Sequence, residues 1–174
     1  MREATPDDTE AIVSVTVAGW RTAYRDIVAP EKLADLPIDR WRHEIGVGLR
    51  RPVDDAFTYV AEIDGGFAGY CFVAAPTRDS DLGSDVAELV AMYVDPEHWR
   101  AGAGAALMEA ALGRLASLPY TEAVLWTFKE NGRAIAFYER HGWRSHGTEK
   151  IHARSGQRAV RYTRPIEDAE RPQQ

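Results

Sequence analysis

The sequence predicts an α/β fold, a mixed sheet of about six or seven strands with about four helices on its faces. The expected order is α-α-β-β-β-α-β-α-β-β after a very short first strand. Three observations carry this. Apolar residues recur at helical spacing as far as Ile45 and then switch to the alternation of strands. Asp64-Gly65-Gly66 separates two β-rich runs, as a tight hairpin requires. Over residues 86–127 a strand, a glycine-led helix and a short apolar run follow one another, which is the pattern of a right-handed parallel crossover.

Each element has a local reason. Thr5-Pro6-Asp7-Asp8 opens a helix whose apolar positions are Ile12, Val13, Val17 and Trp20. A second helical stretch follows Pro30, with Leu33, Leu36, Trp41 and Ile45. AFTYVAEIDGGFAGYCFVAA forms the hairpin, and VAELVAMYV is a third strand that stops at Asp95-Pro96. The next helix, led by Gly102 and Gly104, runs to about Ser117. Then come the strand AVLWT, a helix from Gly132 to about His141, and a hairpin of SHGTEKIHA and QRAVRYTRP turning at Arg154-Ser155-Gly156. Residues 1–166 are expected to form one domain and the polar tail 167–174 to be disordered. Met1 to Thr5 leave room for only a very short opening strand.

Composition narrows the function classes. No apolar run approaches the roughly 20 residues of a membrane span. The start, MREATPDDTE, is polar and acidic, unlike a signal or transit peptide. The single cysteine, Cys71, lies in an apolar run and reads as a buried strand residue, in keeping with a cytoplasmic location. Net charge is −6, which disfavours general nucleic-acid binding. The charge is uneven: residues 1–99 carry 19 acidic against 9 basic residues, and residues 100–174 carry 8 against 12. That suits a polyanion held by the second half and a cation near the first, or simply a solvated surface. His43, His98, His141, His146 and His152 lack ligand-like spacing, so no metal is expected.

Gly102 and Gly104 pose a question, because each glycine costs about 1 kcal/mol in a helix interior relative to alanine. Either a ligand approaches the backbone there, or helix and sheet pack tightly. A P-loop is excluded, since Ala105-Ala106 follow Gly104 where Lys-Ser/Thr is required. A dinucleotide fingerprint is excluded as well, because Leu107 stands at the third glycine. A helix N-terminus can still bind phosphate through its unpaired N–H groups.

Trp99-Arg100-Ala101-Gly102-Ala103-Gly104 resembles the pyrophosphate loop of the GNAT superfamily of acyl-CoA-dependent N-acyltransferases, Arg/Gln-x-x-Gly-x-Gly/Ala, with Trp99 in place of the first Arg or Gln. The resemblance implies that backbone N–H groups from Arg100 through Ala101, Gly102, Ala103 and Gly104 to Ala105 hold the cofactor's phosphates, with Arg100 as a charge partner. NGRAIAFYERHGW, from Asn131 to Trp143, is similar to the family's Asn-x-x-Ala-x-x-Phe-Tyr-x-x-x-Gly-Phe segment, with Trp143 for Phe. Asn131 suits an N-cap, and Tyr138, seven residues on, returns to nearly the same helical face past the small Ala134. The family uses this face, here Asn131, Ala134 and Phe137, to line acyl-CoA, and its tyrosine, here Tyr138, to protonate the departing thiolate.

In the strand ELVAMYV, strict alternation places Glu88, Val90, Met92 and Val94 on one face, and a bulge would shift that parity. The resemblance implies that Met92, Tyr93 and Val94 pair with the pantetheine arm. It also makes Glu88 the general base, directly or through water, and a backbone N–H near Met92 the oxyanion donor. GWRTAYRDIVAPEKL is similar to a segment of bacterial members, and Trp20 and Tyr24, neighbours at i, i+4, form either an aromatic wall beside the acceptor or core packing.

What this implies is an acetyl-CoA-dependent N-acetyltransferase acting by direct attack of a primary amine, with a cationic small molecule or peptide favoured by the acidic first half. A non-catalytic acyl-CoA-binding module is the alternative, and an acetyltransferase acting on aminoacyl-tRNA is disfavoured by net charge. The resemblance implies neither nucleic-acid nor membrane partners, and it allows a homodimer.

Overall fold

A computed structural model describes residues 1–51, 53 and 55–167. The tail expected to be disordered, 167–174, lies outside the described residues apart from Glu167. The chain opens with the two-residue strand β1 (Arg2–Glu3), a 3₁₀ turn at Pro6–Asp8, and helices α1 (Thr9–Ala23), α2 (Pro30–Ala34) and α3 (Ile38–Arg50). Next come β2 (Phe57–Ile63), β3 (Gly66–Ala74), β4 (Val86–Val94), α4 (Ala103–Leu115), β5 (Glu122–Phe128), α5 (Gly132–Arg140), β6 (Arg144–Ile151) and β7 (Arg158–Pro165).

The stretch after Pro30, read from sequence as one helix, is two, so the described residues form five helices where about four were expected. Pro37 is the reason. It has no N–H to donate and it biases Leu36 away from helical dihedrals, so α2 ends and α3 starts behind it.

The strands form one sheet in the order β1-β2-β3-β4-β5-β7-β6. Only β4 and β5 run parallel among these neighbours, with α4 as the crossover. On one face α4 buries Leu107, Met108, Ala111 and Leu115 against Cys71, Val73, Ala87, Leu89, Ala123 and Leu125. Leu107 is fully buried, a gain of about 1.5–3 kcal/mol for a side chain of that kind. Cys71 is the expected buried strand cysteine, and burial pushes its thiol up to about 12. On the other face α1 places Ile12 over Val60 and Tyr70, and Trp20 among Val28, Leu33, Leu36 and Phe128.

Two irregularities in β4 create the site. Phe72 pairs with Ala91 while Val73 pairs with Leu89, so Val90 has no partner on β3 and forms a bulge. The bulge shifts the parity of strict alternation, the one exception that the sequence reading allowed for. Met92 and Val94 join Ala87 and Leu89 on the α4 face, whereas Ala91 and Tyr93 turn toward α1. The second irregularity is a fork. The parallel ladder stops at Leu89 and Leu125, although β5 continues beside β7 to Phe128. From Val90 onward, no strand among the described residues lies against the edge of β4 that faces β5.

Candidate active site

The fork holds a cavity of about 110 Å³. One wall is β4 from Leu89 to Val94, and the opposite wall is Trp126 and Thr127 of β5 with Asn131, Ala134 and Tyr138. Asn131 caps α5 as its residue type suggests, its Oδ1 accepting from the Ala134 N–H at 3.2 Å. Because Asn131, Ala134 and Tyr138 recur at helical spacing, all three reach the cavity, as the sequence implies. Tyr138 packs edge-on against Phe137 and Trp143. Burial, reinforced by Tyr24 and Cys71, pushes its hydroxyl well above the ordinary phenol range, so it carries its proton throughout the neutral range.

Beyond β4 the chain turns sharply. The Asp95 carboxylate accepts from the Glu97 N–H at 3.0 Å, and the Trp99 indole N–H donates to the Val94 carbonyl at 2.8 Å. Arg100 and Gly102 both adopt left-handed backbone, with φ of 67° and 90°. Gly102 is the N-cap of α4 and offers no side chain to the helix's first N–H groups. The two glycines therefore differ. A Cβ at Gly102 would meet nothing within 4 Å, so the residue is required by its φ and leaves the backbone approachable. A Cβ at Gly104 would lie 3.4 Å from Phe137, an ordinary contact, so α4 and α5 pack closely here without demanding glycine.

The third wall comes from α1, where Gly19, Ala23 and Tyr24 line the cavity. Tyr24 stands edge-on to Phe128 at 4.7 Å and to Trp20 at 5.0 Å. Trp20 itself is buried at 7 % exposure and lies behind this wall in the core. Burial raises Tyr93 well above its ordinary value, with Tyr24 and Tyr70 adding to the shift. Burial also raises Tyr24, against smaller opposing effects from Tyr93 and Arg133.

The family model for the acetyltransferase (GNAT) family matches residues 18–143, well over half of the chain. The chain belongs to the GNAT family.

This GNAT protein is 29 % identical over 145 residues to the uncharacterized N-acetyltransferase YuaI of Bacillus subtilis (strain 168), covering 81 % of this chain and 78 % of YuaI. Its fold is similar to that of the PaiA N-acetyltransferase from Thermoplasma acidophilum in complex with coenzyme A, with a TM-score of 0.75 at 18 % identity over 92 % of this chain and 95 % of that one. Nourseothricin acetyltransferase gives a TM-score of 0.57 at 27 % identity, over 67 % of this chain and 69 % of that one. The expected enzyme class is thereby established: this is an acyltransferase whose acyl donor is acetyl-CoA.

The GNAT residues fit that donor on structural grounds. Met92, Tyr93 and Val94 line the cavity on an open strand edge, and Gly102 presents helix N–H groups where a Cβ would meet only open space. Arg100, Ala101, Ala103 and Ala105 surround that turn without lining the cavity, and Phe137 lies behind Gly104. Glu88 also stands off the cavity. Its Oε2 accepts from Thr77 Oγ1 at 3.1 Å and from the Arg78 N–H at 3.4 Å, tying the β3–β4 loop to β4. The same loop is held at Asp79, which accepts from the Trp126 indole at 2.7 Å and pairs with Arg161 and Lys150.

Sequence reasoning missed Trp126, Thr127, Gly19, Ala23 and, above all, Arg133. The last lies inside a motif that was read for its other positions. Among the described residues no cluster of His, Cys, Asp or Glu is arranged to hold a metal, and no helix is long and apolar enough to cross a membrane.

Proposed function

We propose that the protein transfers the acetyl group of acetyl-CoA to a primary amine by direct attack, with Tyr138 as general acid and Glu88 as general base through water. The observation that carries this reading is the convergence on one cavity of Tyr138, the open edge of β4 at Met92 to Val94, and the wall of Tyr24. An ammonium has no lone pair, so Glu88 accepts the amine's proton through a water relay, since its carboxylate is set back from the cavity. The nitrogen then bonds to the thioester carbon. A backbone N–H near Met92, just beyond the bulge, stabilises the oxyanion, an interaction worth about 3 kcal/mol for one such donor. Carbon–sulfur cleavage follows, and the Tyr138 hydroxyl passes its proton to the thiolate. Burial keeps the proton on Tyr138 until the thiolate forms, and it also lowers the driving force for giving that proton up, so the transfer depends on the thiolate being generated beside the hydroxyl.

The pyrophosphate rests on the backbone of residues 100 to 105, and Asn131, Ala134 and Phe137 form the α5 side of the cofactor groove. The acceptor approaches past Tyr24, with Trp20 fixing that wall from behind. Among the described residues the cavity lining contributes no carboxylate, so a preference for cationic amines acts through the long-range field of the acidic first half.

The deciding experiment is CoA-thiol release from acetyl-CoA across polyamines, aminoglycosides, amino acids and basic peptides, with Tyr138→Phe run in parallel. Release with one amine class, slowed about 10²–10⁴-fold in the variant, is the expected result. Equal rates in the two proteins would remove Tyr138 as the acid. Binding of acetyl-CoA with no release for any amine would contradict the catalytic reading for these acceptors.

A further inference from the structure

Trp99 occupies the place where the loop's pattern has Arg or Gln, and the structure brings an arginine to that same place from elsewhere. The Arg133 guanidinium carbon lies 3.2 Å from the centroid of the Trp99 ring, a stacked cation–π contact. Trp99 is itself anchored, its indole N–H bonded to the Val94 carbonyl. Arg133 precedes Phe137 by one helical turn, and Phe137 packs on Gly104, so one face of α5 lies along the loop from Trp99 to Gly104. Arg133 lines the cavity and is the one charged side chain among the described residues that do so. No hydrogen bond or ion pair joins it to a described residue, and loss of water around the stacked guanidinium lowers its pKa despite the opposing effect of Tyr24. A guanidinium fixed flat on an indole still presents its N–H donors edgewise, in the fork that matches phosphate oxygens.

We propose that Arg133, held by Trp99, is a side-chain cation that binds the pyrophosphate of CoA from α5, at the place where position 99 carries an indole in place of Arg or Gln. This rests on the acetyl-CoA reading above. Trp99 is a positioning residue and Arg133 the one in contact with phosphate.

The test is calorimetric titration of the full chain with CoA and with 3′-dephospho-CoA at several salt concentrations, which requires no acceptor. Arg133→Ala, Arg133→Lys and the exchange variant Trp99→Arg/Arg133→Ala are compared with the parent, and thermal melts confirm that each is folded. Arg133→Ala should weaken both ligands by the same factor, about tenfold or more for a lost charge-assisted contact, and flatten the salt dependence. Arg133→Lys should fall between, and the exchange variant should recover most of the affinity.

Undiminished CoA binding by Arg133→Ala would overturn the proposal. So would a loss confined to CoA and absent for 3′-dephospho-CoA, because the contact would then be with the 3′-phosphate. If the parent protein bound neither ligand, the acetyl-CoA reading itself would fall.

Discussion

Gly19 on α1 and Tyr93 on β4 are fitted to each other: a Cβ at residue 19 would stand 2.6 Å from Tyr93 Cδ1. The missing side chain lets α1 lie directly on the aromatic ring that follows the bulge, and Tyr93 stacks in turn on Tyr70 at 6.0 Å. Gly19→Ala should therefore displace Tyr93 and destabilise the fold by about 1–3 kcal/mol, the usual range for overpacking. Urea unfolding would measure this. A midpoint equal to the parent's would show that the ring moves aside freely.

The two glycines of the loop should separate experimentally. Gly102 has φ of 90° and a Cβ there meets no neighbour, so Gly102→Val brings backbone strain of about 1–2 kcal/mol with its Cβ in open space. The variant should stay folded yet lose acetyl-CoA binding, read by calorimetry beside a thermal melt. Gly104→Ala places a methyl 3.4 Å from Phe137 and should change CoA affinity far less. Tight binding by Gly102→Val would remove the phosphate from this turn.

Glu88 has two candidate roles that substitution can tell apart. As loop anchor it needs Thr77, whose hydroxyl donates to it at 3.1 Å. As base it needs only its carboxylate. Glu88→Gln should lower kcat/KM by about 10²-fold or more. Thr77→Val keeps the carboxylate and should cost far less activity. Equal losses in the two variants would make Glu88 an anchor alone.

Asp8 gives the fold an acid limit. It receives two hydrogen bonds from Arg2 at 2.8 Å and one from the Thr5 N–H at 2.7 Å, and these lower its pKa from 3.8 to about 2 against the cost of burial. A carboxyl depressed in the folded state stabilises the protein above its unfolded pKa and loses that contribution as pH falls through the folded value. The loss should therefore develop between about pH 4 and pH 2. Because Arg2 is 41 % exposed, solvent screening holds the contribution to about 1–2 kcal/mol. Asp8→Asn should reduce stability at pH 7 by a similar amount and flatten that part of the stability–pH curve.

Much of the fold was legible because its signals are local. Val86–Val94 is the strand expected from its alternation and its stop at Asp95-Pro96. Asn131 caps α5, and Tyr138 and Ala134 share its cavity face because helical geometry allows nothing else. The break at Pro37 was also written locally, but the apolar spacing on either side of it matched a single helix. Parity along β4 was different in kind. It depends on Val90 being skipped by β3, a property of two strands together, so the sequence could name a bulge as what would shift the parity but not show where it falls.

By itself the sequence determined most of the elements and their order, and that a glycine turn, a capped helix and a tyrosine would be available to an acyl-CoA enzyme. Tertiary structure alone decided that β4 and β5 part at Leu89 and Leu125, that Glu88 spends hydrogen bonds on its own loop, and that Arg133 lies on Trp99. The physical reason is range. Caps, turns and hydrophobic period are settled within a few residues, whereas a fork, a bulge and a cation on an indole exist only once segments distant in the chain are packed together.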